Sequence, residues 1–288
     1  MDDAAKGNSN DRLFCWEQVN KTNPAFRISQ VFVSRDIAEK LLPLYALFSI
    51  VEQISGHSSE EDLAHSKLAW WKLECSPERL DQSRHPVLQE LRRTVSPGNL
   101  NPQLINRLLI AAESRFEAEP PSDISDLEGR CERWARLQLD LEMAVSGLLP
   151  GALEIPAATL VRSGLLQLLR ENSGKKEQGA FSWVPLNLMA KHGVSRNDFV
   201  DQPESDGVKA LLRELIGHDR LPGTQLAVKI DATADFSGMR NFFAIQGLYA
   251  RKLKKLGKVP PSKHVAELSR VRVSDLLTAW RSARRFEC

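Results

Sequence analysis

Leu44-Tyr45-Ala46-Leu47-Phe48-Ser49-Ile50-Val51-Glu52-Gln53-Ile54-Ser55-Gly56 is the stretch on which the fold turns. Ile37, Leu41, Leu44, Tyr45, Phe48 and Val51 recur at three- and four-residue steps, which lays one apolar stripe along a helix. Asp36 with Glu39 offers a capping box at its start. The stripe runs directly into two polar residues, Glu52 and Gln53, with no turn between.

Working outward, the same period recurs almost everywhere. Ser58 with Glu61 predicts the start of a helix carrying Leu63, Leu68, Trp70 and Trp71. Pro97-Gly98 breaks the chain, and Asn101-Pro102 reads as a cap followed by proline at the first helical position, leading Leu104, Leu108, Ala111 and Ala112. Ser125 with Glu128 predicts a long helix through Val145, stopped by Pro150-Gly151. Further helices are expected over about 156–171, 186–191, 208–216, 236–256 and 274–286, with a polar, glycine-containing loop over 172–179. Strand alternation, internal repeats and a dividing linker are all missing from the sequence, so the reading is one all-α domain of roughly ten helices.

Composition narrows the function classes. The 288 residues are 42% apolar and 26% charged, as in a soluble globular protein. Lys+Arg 39 against Asp+Glu 37 gives a net charge of +2, which favours neither nucleic acid nor a membrane surface. Cys15, Cys75, Cys131 and Cys288 match no zinc spacing and read as reduced thiols. The polar stretch from Met1 to Asn10 is not expected to be a signal peptide, and no stretch approaches the ~20 apolar residues of a membrane span. A cytoplasmic location is expected. The six histidines, His57, His65, His85, His192, His218 and His264, form no helical pair, which argues against a zinc site or a triad.

Several segments, in order and at matching spacing, resemble the squalene/phytoene synthase family. Phe32-Val33-Ser34-Arg35-Asp36 is followed by Leu44 to Val51, where the family reads Leu-Tyr-Ala-Phe-Cys-Arg-x-Val. Lys67-Leu68-Ala69-Trp70-Trp71-Lys72 is similar to Lys-Leu-x-Trp-Trp-Arg, and His85-Pro86-Val87 follows in place. Leu168-Leu169-Arg170-Glu171 stands where the family has Ile-Leu-Arg-Asp. Trp183-Val184-Pro185-Leu186 and Ala190-Lys191-His192-Gly193-Val194-Ser195 resemble Tyr-Leu-Pro and Ala-Arg-His-Gly-Leu-Ser. The resemblance covers about residues 26 to 285, leaving 1–25 as an N-terminal extension and 26–288 as the synthase-like domain. It implies the all-α isoprenoid-synthase fold, a helical bundle around a deep central cavity.

The resemblance also states what the chemistry requires. The family joins two prenyl diphosphates head to head and begins by ionising an allylic diphosphate, whose charge magnesium neutralises. Magnesium takes carboxylate and phosphate oxygens in octahedral geometry. Two aspartates four positions apart share a helix face, and the family carries such a pair on each of two facing helices. Here the first site reads Glu52, Gln53 and Gly56, and the second Glu171, Gly174 and Lys175. Gly56 has no side chain, Gln53 is neutral and Lys175 would repel magnesium. Nearby acids, Glu60, Glu61, Asp62 and Glu177, rescue the sites only if the correspondence slips.

The remaining candidates divide between binding and structure. Tyr45, Phe48, Gln167 and Arg170 are expected to line the cavity as substrate-binding positions, with core packing the plainer role for the two aromatics. Arg170 either contacts phosphate or pairs with neighbours of Glu171. Of Trp70 and Trp71, one ring is expected inward and the other partly exposed. The basic run Arg251, Lys252, Lys254, Lys255 and Lys258 reads as a solvated helix end, or as a peripheral membrane or acidic-partner contact. The expectation is a non-catalytic family member acting as a scaffold, assembly factor or isoprenoid-binding protein, with a protein partner or a prenyl lipid, no nucleic acid, no metal site and no cofactor. A mitochondrial complex I assembly factor that resembles these synthases is the precedent. The alternative is an active magnesium-dependent prenyltransferase that uses Glu52 and Glu171 with acids supplied from elsewhere.

Overall fold

Apolar residues three and four apart build helices, and the computed structural model is made of little else. It describes residues 2–55, 61–117, 119–149, 153–172, 181–217, 229–230 and 236–284. Fourteen α-helices follow in these residues: α1 (Asp2–Thr22), α2 (Pro24–Ser29), α3 (Arg35–Ser55), α4 (Glu61–Glu74), α5 (Pro86–Thr94), α6 (Pro102–Glu117), α7 (Ile124–Val145), α8 (Ala157–Asn172), α9 (Leu186–His192), α10 (Asp198–Asp201), α11 (Asp206–Ile216), α12 (Arg240–Leu256), α13 (His264–Ser269) and α14 (Val273–Arg284). A minimal antiparallel pair, β1 (Leu153–Glu154) and β2 (Lys229–Ile230), sets Leu153 opposite Ile230.

The all-α expectation holds, while several boundaries differ from the sequence reading. Helix α7 starts one residue earlier than Ser125, because Asp123 is the cap and its side chain accepts the Asp126 N–H at 2.9 Å. Helix α3 starts at Arg35, with the Ser34 hydroxyl accepting the Ile37 N–H at 3.4 Å in place of an Asp36 cap. At α6 the Asn101 side chain accepts the Gln103 N–H at 3.0 Å, and Pro102 follows it as expected. Ser58 and Phe286 lie outside the described residues. Five helices are not placed by the sequence reading: α1, whose composition is mostly polar, α5, and α2, α10 and α13, which are a turn or two long, too short for periodicity to reveal. The two-residue strands are too short to alternate.

Four helices, α3, α7, α8 and α12, pack in sequence around the centre of the bundle. Helices α1 and α5 back onto α3, α6 leans on α7, and α14 lies along α12. The 1–25 stretch beyond the family resemblance is part of this packing. Most of it is polar, but Cys15 and Val19 are fully buried, and Arg12 reaches Glu39 of α3 at 3.2 Å. Trp71 is buried and Trp70 is half exposed, both with rings against His85. The His85 Nδ1 accepts the Val87 N–H at 3.2 Å and so caps α5.

Helices α7 and α8 meet backbone to backbone. A Cβ built on Gly164 would stand 2.5 Å from the Cys131 carbonyl oxygen and 2.6 Å from its Cα. Backbone cannot yield as a flexible side chain does, so only glycine fits there. Gly164→Ala is expected to push the two helices apart and cost about 3 kcal/mol, at the upper end of overpacking penalties, read as a lowered urea midpoint with an unchanged slope.

Candidate functional site

The inner helices carry polar residues on the faces that meet. Tyr45, Ser49 and Glu52 of α3 follow at four- and three-residue steps, and Gln138 and Glu142 of α7 stand four apart. Ser163 and Gln167 of α8, and Asn241, Gln246 and Tyr249 of α12, complete the ring. Each is buried, so each needs a partner.

Glu52, only 4% exposed, finds its partner across the ring. The Arg170 Nη2 donates to its Oε2 at 2.7 Å, and the Gln138 Nε2 donates to its Oε1 at 3.2 Å. Gln167 donates in turn to the Gln138 Oε1 at 2.5 Å. Burial pushes the Glu52 carboxyl above its ordinary range, Arg170 pulls it back, and the charge on Glu171 pushes it up again. Burial works against the charge on Arg170, but Glu52 and the Tyr249 hydroxyl more than restore it.

Glu171 has a guanidinium of its own. The Arg115 Nη2 of α6 donates to Oε2 at 2.6 Å, and its Nη1 lies 3.5 Å from Oε1. Arg115 also stacks over the Trp134 ring at 4.8 Å and donates to the Ser55 hydroxyl at 3.3 Å. Arginine stays protonated in proteins, so it neutralises a carboxylate permanently and without a metal. Magnesium would need several oxygens converging on one point. Among the described residues no group of three or more His, Cys, Asp or Glu is placed to hold a metal.

The centre of the ring is nearly filled. Tyr45, Phe48, Gln138, Gln167 and Tyr249 enclose free space of about 30 Å³, room for about one water. The Tyr45 ring lies tilted 4.3 Å from Phe26 and edge-on 5.4 Å from Phe48, closing that side. A larger cleft of about 570 Å³ opens outside the ring, bounded by Ser55, Arg115, Trp134, Leu168, Glu171 and Trp183. The Arg115–Glu171 pair lies on its wall.

A second buried acid is held differently. Glu142 accepts from the Tyr45 hydroxyl and from the Asn241 Nδ2, both at 2.8 Å. The Asn241 Oδ1 accepts from the Ser29 hydroxyl at 2.5 Å and from the Gln30 Nε2 at 2.9 Å. Burial pushes the Glu142 carboxyl up to about 7, against the pull of Asn241 and Tyr45.

The sequence-predicted positions therefore come together in part. Glu52, Tyr45, Phe48, Gln167 and Arg170 converge on the centre, and Glu171 stands at its edge. Arg170 pairs with Glu52 across the ring instead of with neighbours of Glu171. Gln53 turns away, donating to the Ser49 carbonyl at 3.0 Å and toward Gln18 of α1. Gly56, Glu60, Gly174, Lys175 and Glu177 lie outside the described residues. The basic run is largely occupied, which corrects the solvated-end reading. Arg251 pairs with Asp275 at 3.0 Å, Lys252 donates to the carbonyls of Glu267, Leu268 and Arg270, and Lys255 stands 3.6 Å from Glu267. Sequence reasoning missed Arg115, Glu142 and Asn241. For Glu142 the signal was present, since it stands four residues after Gln138 and so shares a helix face with it.

Comparison with known proteins follows from this geometry. The sequence matches squalene/phytoene synthase from residue 20 to residue 276, and the chain belongs to that family. It is 26% identical over 204 residues to the Drosophila melanogaster homologue of NADH dehydrogenase (ubiquinone) complex I, assembly factor 6, covering 67% of this chain and 59% of that protein. It is 20% identical over 211 residues to complex I assembly factor 6 of Mus musculus, covering 73% and 63%. The match thus spans about three fifths of the length of these curated relatives. A dehydrosqualene synthase crystal structure superposes with a TM-score of 0.62 at 12% identity, covering 98% of each chain. The squalene synthase HpnC from Alicyclobacillus acidocaldarius superposes at 0.51 with 16% identity, covering 96% and 95%. These likenesses show the isoprenoid-synthase fold.

Two outcomes are expected from the network. Arg170→Met strands the Glu52 carboxylate and is expected to cost about 3–5 kcal/mol in urea unfolding, most of it recovered when Glu52→Gln is added. Glu142 gives a pH signature. Its folded carboxyl keeps a proton up to about 7, while the unfolded one releases it near 4.5, so the folded state holds more protons between these values. That contribution is full below 4.5 and lost as pH rises through 7. Glu142→Gln removes it. The stability of the native chain relative to this variant is expected to fall by on the order of 3 kcal/mol from about pH 4 to about pH 8.

Proposed function

We propose that this chain is a non-catalytic member of the squalene/phytoene synthase family that works by holding a protein partner, as a scaffold or assembly factor. The observation that carries the reading is the pairing of both remaining motif carboxylates with arginines, Glu52 with Arg170 and Glu171 with Arg115. The carboxylates that the family would turn toward magnesium are here neutralised by the chain itself. A diphosphate arriving with magnesium would have to displace two guanidinium groups, and displacing Arg170 would leave the buried Glu52 carboxylate without its partner.

Two further observations support the reading. The space of about 30 Å³ inside the ring is far below the few hundred Å³ of an ordinary ligand pocket, which weighs against a prenyl lipid housed there. The curated relatives are named as assembly factors of complex I, and an assembly role for this chain is the proposal that follows.

The test is turnover and ligand-induced stabilisation measured together. The purified chain is incubated with farnesyl or geranylgeranyl diphosphate and magnesium, with an active family member alongside, and products are read by mass spectrometry. The expected result is no hydrocarbon and no released pyrophosphate. Magnesium with inorganic diphosphate is expected to leave the thermal midpoint unmoved, since a ligand that does not bind the folded state cannot raise it. Hydrocarbon product, or a midpoint that rises only when both are present, would overturn the proposal.

A further inference from the structure

From Lys263 to Arg284 the chain has only two acids, Glu267 and Asp275. Both are turned inward. Asp275 is 2% exposed and paired with Arg251 at 3.0 Å, and Glu267 is 8% exposed and paired with Arg272 at 2.6 Å. Every exposed charge in this segment is positive: Lys263, Arg270, Arg281 and Arg284. Such segregation of sign is not what a solvated helix surface usually shows, where both signs mix.

The apolar residues are segregated as well. Val273, Leu276, Leu277 and Trp280 fall at the steps of one helix face, and all four are exposed, Val273 by 81% and Leu277 by 55%. Arg284 stacks 4.8 Å over the Trp280 ring and extends the row by one turn. The opposite face of α14 is fixed. Ala279 and Ala283 are buried against α12, and Ser282 packs onto Gly247, where any side chain would collide with it. The helix therefore lies flat along α12 and cannot roll to hide its stripe. Single exposed apolar residues are ordinary, but a full stripe ringed by cations marks a contact surface.

We propose that the α13–α14 face docks on an anionic lipid surface, with Val273, Leu276, Leu277 and Trp280 entering the headgroup boundary and Arg270, Arg281 and Arg284 meeting lipid phosphates. The stripe lies on the outer side of the last helix, a form suited to a deformable plane. A tryptophan capped by arginine is amphipathic at the depth where headgroups begin. No exposed acid in the segment would repel the phosphates. The contact is peripheral, since no described helix is long and apolar enough to cross a membrane. The basic run on α12 does not supply it, because Arg251, Lys252 and Lys255 are engaged with α13 and α14. The inference stands independently of whether the ring is catalytic.

The test is co-sedimentation of the full chain with vesicles of phosphatidylcholine alone and of phosphatidylcholine mixed with phosphatidylserine, at low and high salt. The chain is expected to partition onto the anionic vesicles about tenfold or more better than onto neutral ones, and to be released by salt. Leu277→Glu and the pair Arg281→Glu with Arg284→Glu are each expected to reduce that partition by about tenfold or more. Leu277 is exposed, so thermal unfolding of Leu277→Glu should match the native chain. Failure to sediment with either vesicle, equal binding to both, or undiminished binding of Leu277→Glu would overturn the proposal. So would Leu277→Glu disrupting binding to an acidic protein while vesicles fail to bind, which would give the face to a protein partner.

Discussion

A carboxylate inside a helical bundle must be neutralised, and the means of neutralisation decides what the bundle can do. In this bundle the neutralising groups that meet Glu52 and Glu171 come from the chain itself. Glu52 and Arg170 close on each other across the ring at 2.7 Å, and Arg115 closes on Glu171 at 2.6 Å from outside it. The rest follows from these contacts. Gln138 and Gln167 arrange themselves around Glu52, and Tyr249 receives the second nitrogen of Arg170. Trp134 lies under Arg115.

Buried ion pairs of this kind seldom add net stability compared with a well-packed apolar core, because both partners lose their hydration. Their effect is directional. An unpaired Glu52 is costly in any other arrangement, so the pair penalises structures in which α3 and α8 are misaligned. Glu142 shows the other solution to the same problem. No cation among the described residues is paired with it; burial pushes it toward its protonated form, while Tyr45 and Asn241, which both donate to it and pull the other way, tie α3, α7 and α12 together through one carboxyl group. Burial pushes both acids of the ring upward, and they differ in what the neighbouring helix presents: a guanidinium that pulls Glu52 back, and an amide and a hydroxyl at Glu142.

Much of the fold was legible because it depends on period. Leu44 to Val51 fixed α3 by apolar spacing alone, and Pro102 with Asn101 marked the start of α6 correctly. What period cannot show is which distant residue a polar group meets. Glu52 and Arg170 lie 118 residues apart in sequence, and Arg115 on α6 carries no local mark that it reaches Glu171. The basic run on α12 was misread for the same reason. Its charges looked solvated because their partners, Glu267 and Asp275, come from helices that fold back later. Segment 1–25 shows the opposite limit, since a helix whose composition is mostly polar is anchored by a few side chains, Cys15 and Val19 fully buried and Phe14 and Trp16 packed against the core.

A bundle whose inner faces are polar has to satisfy that lining from somewhere. The centre is taken up by side chains that hydrogen-bond to one another, Ser163 to Gln246 at 2.8 Å and Gln167 to Gln138 at 2.5 Å, with the Tyr45 ring against Phe26. A polar lining cannot simply collapse as an apolar one would, because each group left unpaired carries its own desolvation cost. The lining residues must therefore pair with each other or with a ligand. Here almost all of that pairing capacity is internal, and the exposed surfaces, above all the cationic apolar stripe of α14, are the parts of the molecule left with interactions to make.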